Sequence, residues 1–237
     1  ETLAQVCAAP LERGWVPGQR AAYHAASGWI VLGELLRRLG GRPCAQVLRE
    51  ELLLPLGMAD SWVGMPGEVY RANIDRLAGL YNTQGEMLRP VAHWDAEAAV
   101  VACRPWAGGR GPMRELGRFY EALLAGGGPL VAPATVRHFT SRHRAGLFDH
   151  TFGKTIDWGL GFALDSKHHG PDIPYGYGAH ASPGTYGHGG RQCCAAFADP
   201  ERGLVVALGF TGMPGEGAHD RRVRSFLEAL YRDLDLV

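Results

Sequence analysis

Lysine is nearly missing from this 237-residue chain: 22 of its 24 basic residues are arginine, leaving Lys154 and Lys167 as the exceptions. Chemistry that depends on a lysine therefore has two positions to choose from. There is no charge surplus either, because 24 acidic residues balance the 24 basic ones. A net charge of zero makes no electrostatic case for nucleic acid or an anionic membrane as a partner. Long apolar runs are absent, and none approaches the roughly 20 residues that span a bilayer. Cysteine is scarce and odd in number: Cys7, Cys44, Cys103, Cys193 and Cys194 are too few for a disulfide scaffold. No Cys-x-x-Cys or His/Cys cluster has metal-ligand spacing, so neither a metal nor another cofactor is expected. Unpaired thiols point to the cytoplasm. The sequence begins at Glu1 without an initiator Met, which leads us to expect processing or an upstream start, and such a segment would hide any leader.

What is present is a globular composition, 46% hydrophobic and 20% charged, which excludes a disordered chain. The first 60 residues read as helical. Trp29, Leu32, Leu36 and Leu39 recur at helical spacing, with Gly40-Gly41 as a stop. Pro43 suits the first turn of a second helix carrying Val47, Leu48 and Leu52. Residues 59–111 show no strong period. Met113 to Leu124 carries one apolar stripe, Gly126 to Gly128 end it, and a short helix is expected near Val136 to Ser141. Later the pattern changes. Gly159–Leu164 reads as a short strand, and Gln192–Ala198 and Leu204–Phe210 flank the turn Asp199-Pro200-Glu201-Arg202-Gly203 as a hairpin. A last amphipathic helix holds Val223, Phe226, Leu227, Leu230, Tyr231 and Leu234. The order predicts an α+β fold with that helix covering the sheet. Residues 1–150 form a mainly helical region, and 151–237 hold the late strands and final helix, in one compact unit. A two- or three-stranded sheet is a thin core, so its completion by an upstream segment or another chain is expected.

Four places could carry chemistry. Tyr23 lies in Tyr23-His24-Ala25-Ala26-Ser27-Gly28-Trp29, at the expected entrance of the first helix. A tyrosine there can move protons if cationic neighbours lower its pKa; otherwise it simply packs against the helix. Tyr186-Gly187-His188-Gly189-Gly190 precedes the hairpin. Its glycines admit a ligand close to the backbone, with His188 beside it; the plainer reading is a Gly-rich turn with an exposed histidine. His168-His169, with Lys167, Asp165 and Asp172 nearby, reads as a solvated polar loop. On a strand Cys193 and Cys194 would face opposite sides.

Taken together, these segments resemble the serine β-lactamase superfamily, in its class C and esterase-like, penicillin-binding-protein-related branch. Trp15-x-Pro17-Gly18, Tyr23-His24-Ala25 and Gly28-Trp29 resemble the segment of its catalytic tyrosine. Leu54-Pro55-Leu56-Gly57-Met58 resembles its PLGM turn, and Gly108-Gly109-Arg110-Gly111 the loop before its late strands. Gly187-His188-Gly189-Gly190, followed by Phe197-Ala198-Asp199-Pro200-Glu201, resembles the strand motif that replaces Lys-Thr-Gly, with its hairpin. Four motifs in order cover nearly the whole chain. The resemblance implies a bacterial serine hydrolase or acyltransferase with a β-lactamase/transpeptidase-like fold, acting on a small-molecule ester or amide. Tyr23 would transfer protons, His188 would stand at the acyl site, and Gly189, Gly190, Gln192 and Cys193 would contact substrate or its oxyanion. Ala25 stands where Tyr-x-Asn would place an amide, which favours esterase, acyltransferase or peptidase-like work over antibiotic hydrolysis.

The family's nucleophile motif is Ser-x-x-Lys, and here the lysine count decides. Leu164 stands three residues before Lys167 and Thr151 three before Lys154. Thr151-Phe152-Gly153-Lys154 has the spacing but contains a helix-breaking glycine and follows the tyrosine. The nucleophile segment is thus expected outside these residues, on an upstream stretch, an N-terminal companion fragment or a second subunit. A nucleophile-less binding or regulatory protein is the alternative, and a different reaction using Tyr23, His188 or a cysteine is the third reading.

Overall fold

The computed structural model describes residues 2–237. Helix α1 spans Ser27–Gly40 and ends where Gly41 adopts a left-handed φ of 62°, the conformation that costs glycine least. Pro43 does not enter the next helix. It stands at the cap before α2, Cys44–Leu48, which continues as a π-helical turn to Leu53. Helix α3, Met113–Leu124, has the bounds its stripe predicts and buries Tyr120 and Leu123. Helix α4, Pro133–Thr140, starts earlier than expected, with Pro133 in its first turn, where a missing N–H costs nothing. The final helix, α5, runs from Glu216 to Asp233. Residues 59–111 fold into short helices and small sheets around Met65, Tyr70 and Val100.

The main sheet has four antiparallel strands: β1 Ala163–Leu164, β2 Tyr186–Gly190, β3 Cys194–Asp199 and β4 Leu204–Gly209, in the order β4-β3-β2-β1. The Gly-rich segment before the hairpin is itself a strand, as the family resemblance implies, and not the turn of the plainer reading. A Cβ on Gly187 would collide with the Ala196 carbonyl and the Phe197 backbone, so glycine serves close strand packing. The strand expected over 159–164 shrinks to its last two residues, because Gly159 donates to the Phe162 carbonyl at 2.9 Å and closes a tight turn. The hairpin is as expected, but Asp199 pairs with Leu204 and leaves a four-residue turn.

Alternation along β3 sets the layers. Ala196 and Ala198 join Tyr120, Leu123, Val136, Phe162 and Tyr186 under α3 and α4. Phe197 faces the opposite side, with Val206, Tyr177 and the α5 residues Val223, Leu227 and Tyr231. Helices therefore cover both faces, where one covering helix had been expected. Burying a leucine such as Leu227 in that second layer stabilises by about 1.5–3 kcal/mol. Asp199, fully buried, ties α5 down by accepting from the Tyr231 hydroxyl at 2.7 Å and the Ser182 N–H at 3.0 Å.

Two features of the early region differ from a simple helical reading. Tyr23 is not on a helix. It lies on an extended stretch pinned by a parallel bridge between Ala21 and Asp149. The apolar stripe of α1 also stays largely uncovered: Leu32, Leu35, Leu36 and Leu39 are all exposed, Leu39 to 87%.

Candidate active site

The site is built outward from a buried carboxylate. Asp149 is fully buried, and its Oδ1 accepts the backbone N–H groups of Tyr23 (3.1 Å), Thr151 (3.0 Å) and Phe152 (3.2 Å). Its Oδ2 accepts from Arg144 Nη2 at 2.8 Å. The Thr151 hydroxyl donates to the Tyr23 carbonyl at 3.0 Å, and His150 N–H donates to the Ala21 carbonyl at 2.9 Å. Tyr23 is thus held by a loop more than 120 residues away in sequence.

The Tyr23 ring lies against an aromatic wall. It stacks on Trp158 with centroids 5.5 Å apart and planes 25° apart, and Phe152 is 5.0 Å away. His188, on β2, completes the cluster at 6.0 Å from Tyr23, 5.5 Å from Trp158 and 4.7 Å from Tyr175. Tyr175 holds a left-handed φ of 57°, uncommon for a bulky residue, and its ring fills the space that a side chain on Gly189 would need. Strand β1 pairs with β2 only at Tyr186 and Gly187. Among the described residues, His188, Gly189 and Gly190 therefore have no strand neighbour on that edge. Alternate residues face it, Thr185 among them through its carbonyl on Asp165 N–H at 2.9 Å, so Gly189 turns its N–H outward there while His188 and Gly190 turn theirs toward β3. Tyr23, His24, Trp29, Arg144, Trp158 and His188 line a cavity of about 310 Å³, within the size range of small-molecule sites.

Burial sets the protonation states. It raises the Tyr23 pKa above its ordinary value, and the neighbouring Tyr175 hydroxyl only partly opposes this. Tyr23 is consequently a protonated donor at neutral pH. Burial lowers the His188 pKa, with the Gly189 carbonyl opposing. Because a carbonyl can only accept, His188 Nδ1 carries the proton it gives to Gly189, and Nε2 is left as an acceptor. A donor and an acceptor thus face one cavity. Arg144 is the only lysine or arginine in that lining, and its charge is engaged by Asp149.

The remaining expected residues fall into two groups. Gly189 and Gly190 lie on β2 with His188. Gln192 and Cys193 are absent from the cavity lining. The Gln192 side chain is taken up at the start of α5, accepting from Gly215 N–H at 2.7 Å and donating to Glu216 at 3.2 Å. Cys193 has its pKa lowered to about 7 by a hydrogen bond from Cys194, with Arg110 and Arg222 adding to it against burial. Sequence reasoning missed Asp149, Trp158, Arg144 and Phe152. Of these only Trp158 offered a signal, as a large aromatic beside the turn Gly159-Leu160-Gly161.

The sequence matches the Beta-lactamase family over residues 1–230. Among solved structures it is similar to a penicillin-binding protein homolog from Caulobacter crescentus, at 27% identity and a TM-score of 0.72, covering 96% of this chain and 64% of that one. EstCE1, a hydrolase with promiscuous acyltransferase activity, superposes with a TM-score of 0.71 at 20% identity, covering 90% of this chain and 57% of that one. A LovD6 mutant of simvastatin synthase from Aspergillus terreus gives 0.73 at 22% identity, covering 95% and 57%. The chain thus spans less than two thirds of the length of each of these structures. No curated protein sequence matches it.

Proposed function

Because this chain belongs to the β-lactamase family, we propose that it carries the proton-transfer and acyl-binding half of a serine hydrolase or acyltransferase. The observation that carries the reading is the meeting of Tyr23 and His188 on one cavity, from segments 165 residues apart. In the mechanism a serine attacks an ester or amide carbonyl and forms an acyl-enzyme, which water or an acceptor alcohol then resolves. Tyr23, protonated at rest, gives its proton to the leaving group. His188 Nε2 accepts a hydrogen bond from the incoming nucleophile or the substrate. The open edge of β2 at Gly189 supplies a backbone N–H group for the carbonyl oxygen as it gains charge. Gln192 and Cys193 support this edge from behind rather than touching substrate.

The attacking serine belongs to a segment outside these 237 residues. No serine here is followed three residues later by lysine. The uncovered Leu32, Leu35, Leu36 and Leu39 face supports a further packing element over α1. The kinship with EstCE1 and simvastatin synthase supports ester-type acyl transfer on a small molecule.

A fluorophosphonate probe on the complete natural polypeptide, followed by peptide mapping, tests this. Label is expected on a serine in Ser-x-x-Lys. Tyr23→Phe should slow p-nitrophenyl ester turnover by about 10²–10⁴-fold, the usual weight of positioned acid–base catalysis. A complete polypeptide that takes no label, or a Tyr23→Phe variant that turns over at the wild-type rate, sinks the proposal.

A further inference from the structure

The polar loop after β1 carries an arrangement that its sequence did not disclose. Asp157, just ahead of the Trp158 wall, points its buried carboxylate at the two adjacent histidines of that loop. His169 Nε2 lies 3.0 Å from Asp157 Oδ1, and His168 Nε2 lies 3.4 Å from Oδ2. The three ligand atoms all fall within 4.8 Å of one another. We propose that Asp157, His168 and His169 form a site for a divalent transition ion of the zinc class.

The distances suit such an ion. With bonds of about 2.1 Å, tetrahedral zinc holds its ligands about 3.4 Å apart, which matches the 3.4 Å between His168 Nε2 and Asp157 Oδ2; His169 Nε2 lies nearer, at 3.0 Å, against the other oxygen. Two imidazoles and one carboxylate form a donor set that prefers zinc, nickel or copper(II) to magnesium or calcium. The carboxylate is also oriented as metal ligands usually are, by hydrogen bonds from outside the coordination sphere. Gly146 N–H donates to Oδ1 at 2.9 Å, while Arg142 Nε, 3.0 Å from Oδ2, takes a lone pair that an ion would otherwise use. The Asp157 N–H is itself fixed on the Ser166 hydroxyl at 2.9 Å. Both histidines reach solvent, His168 more than His169, which gives an ion its entry and leaves room for a water as fourth ligand.

Four charged groups face the site. Asp157 and Asp165 are negative, Arg142 and Lys167 positive, with Lys167 Nζ held 3.1 Å from Asp165. Arg142 competes with the ion for Asp157, which weakens the site and makes a distinctive prediction. Removing the guanidinium should tighten metal binding, whereas removing either imidazole should loosen it.

Zinc titrated calorimetrically into the metal-stripped full chain should bind with one equivalent that depends on these histidines. A His168→Ala/His169→Ala variant should lose at least tenfold in affinity, a Cys193→Ser/Cys194→Ser variant should keep it, and Arg142→Gln should gain. Both histidines are partly exposed, so the double variant should remain folded, and its far-ultraviolet circular dichroism checks that. The proposal is overturned if the wild type takes up no zinc, if the double-histidine variant binds as the wild type does, or if Arg142→Gln weakens binding.

Discussion

Asp149→Asn isolates the device that positions Tyr23. The substitution keeps an oxygen for the N–H groups of Tyr23, Thr151 and Phe152, and places an amide where Oδ2 meets Arg144. One charge pair is lost and one donor is set against another. Breaking a fully buried pair by removing one partner costs about 3–5 kcal/mol, and an exposed pair is worth about 0–1 kcal/mol. Asp149 is fully buried and the Arg144 side chain is 24% exposed. The expected loss therefore lies between these limits, at about 2–3 kcal/mol after allowing for screening. Asp149→Ala should lose more, because three N–H groups would also go unpaired at about 1–3 kcal/mol each, less whatever water entering the void recovers. Since a domain has only about 5–15 kcal/mol in total, the alanine variant risks unfolding and the asparagine variant is the informative one. Urea unfolding followed by tryptophan fluorescence should show a lower midpoint with an unchanged slope. Arg144→Gln should lose a similar amount, and the double variant should cost at least about 1 kcal/mol less than the sum, because the two groups share one interaction. An Asp149→Asn protein within about 0.5 kcal/mol of the wild type refutes the reasoning, since surface substitutions routinely fall in that band.

Other outcomes follow from named contacts. Iodoacetamide should alkylate Cys193 with a pH midpoint near 7, where its pKa is held, rather than near the ordinary thiol value of about 8.5; peptide mapping against pH reads this, and a midpoint above 8 contradicts it. Tyr23 should titrate above its ordinary value in this chain, because burial raises it, which ultraviolet difference titration of wild type against Tyr23→Phe can resolve. Burial alone would raise the Asp199 carboxyl, but the bonds from Ser182 and Tyr231 more than offset it and hold the pKa below its usual value. Its stabilising contribution is then complete above the unfolded value of about 3.9 and lost as pH falls through the folded one. Tyr231→Phe should accordingly cost about 1.5–3 kcal/mol at pH 7 and progressively less below about pH 4, and an undiminished cost in acid would contradict this. Gly117→Ala, where a Cβ meets open space on α3, should stabilise by about 0.5–1 kcal/mol in thermal unfolding, whereas Gly187→Ala, where it meets strand backbone, should destabilise by at least about 3 kcal/mol.

Legibility from sequence tracked how far each signal depended on its own neighbours. Helix α3 was readable to the residue because one stripe, bounded by Pro112 and the glycines after Leu124, carries all the information locally. The hairpin of β3 and β4 was readable for the same reason. Strand β2 was not, and the family resemblance alone implied it. Glycine has one appearance in sequence and two uses in structure: freedom in a turn, and closeness between strands. Only the collision awaiting a Cβ at Gly187 tells them apart. Tyr23 was read as a helix entrance because Ser27 and its followers do start a helix four residues later. What fixes its backbone is Asp149, and nothing in Phe148-Asp149-His150 announces a partner so far along the chain. The histidine pair was set aside for the same reason, since the carboxylate it meets, Asp157, lies eleven residues before His168, across β1.

The proposed acyl transfer sets a demand that the electrostatics of the cavity meet only halfway. A tyrosine used as a base must lose its proton near neutral pH, and burial pushes Tyr23 the other way. The Tyr175 hydroxyl opposes this only in part, and a positive charge close to the Tyr23 hydroxyl would reverse it. Among the described residues the cavity offers Arg144 alone for the purpose, and Asp149 already neutralises it 2.8 Å away. Neither Lys154 nor Lys167 lines the cavity; Lys167 is paired with Asp165. As this chain stands, then, Tyr23 can donate a proton but not collect one. A catalytic cycle of acyl transfer needs both directions, one to activate the nucleophile and one to free the leaving group. The residue that restores the missing direction must bring a cation. A lysine one helical turn beyond the reactive serine would do so, and the same segment would thereby deliver the nucleophile and switch the tyrosine from acid to base.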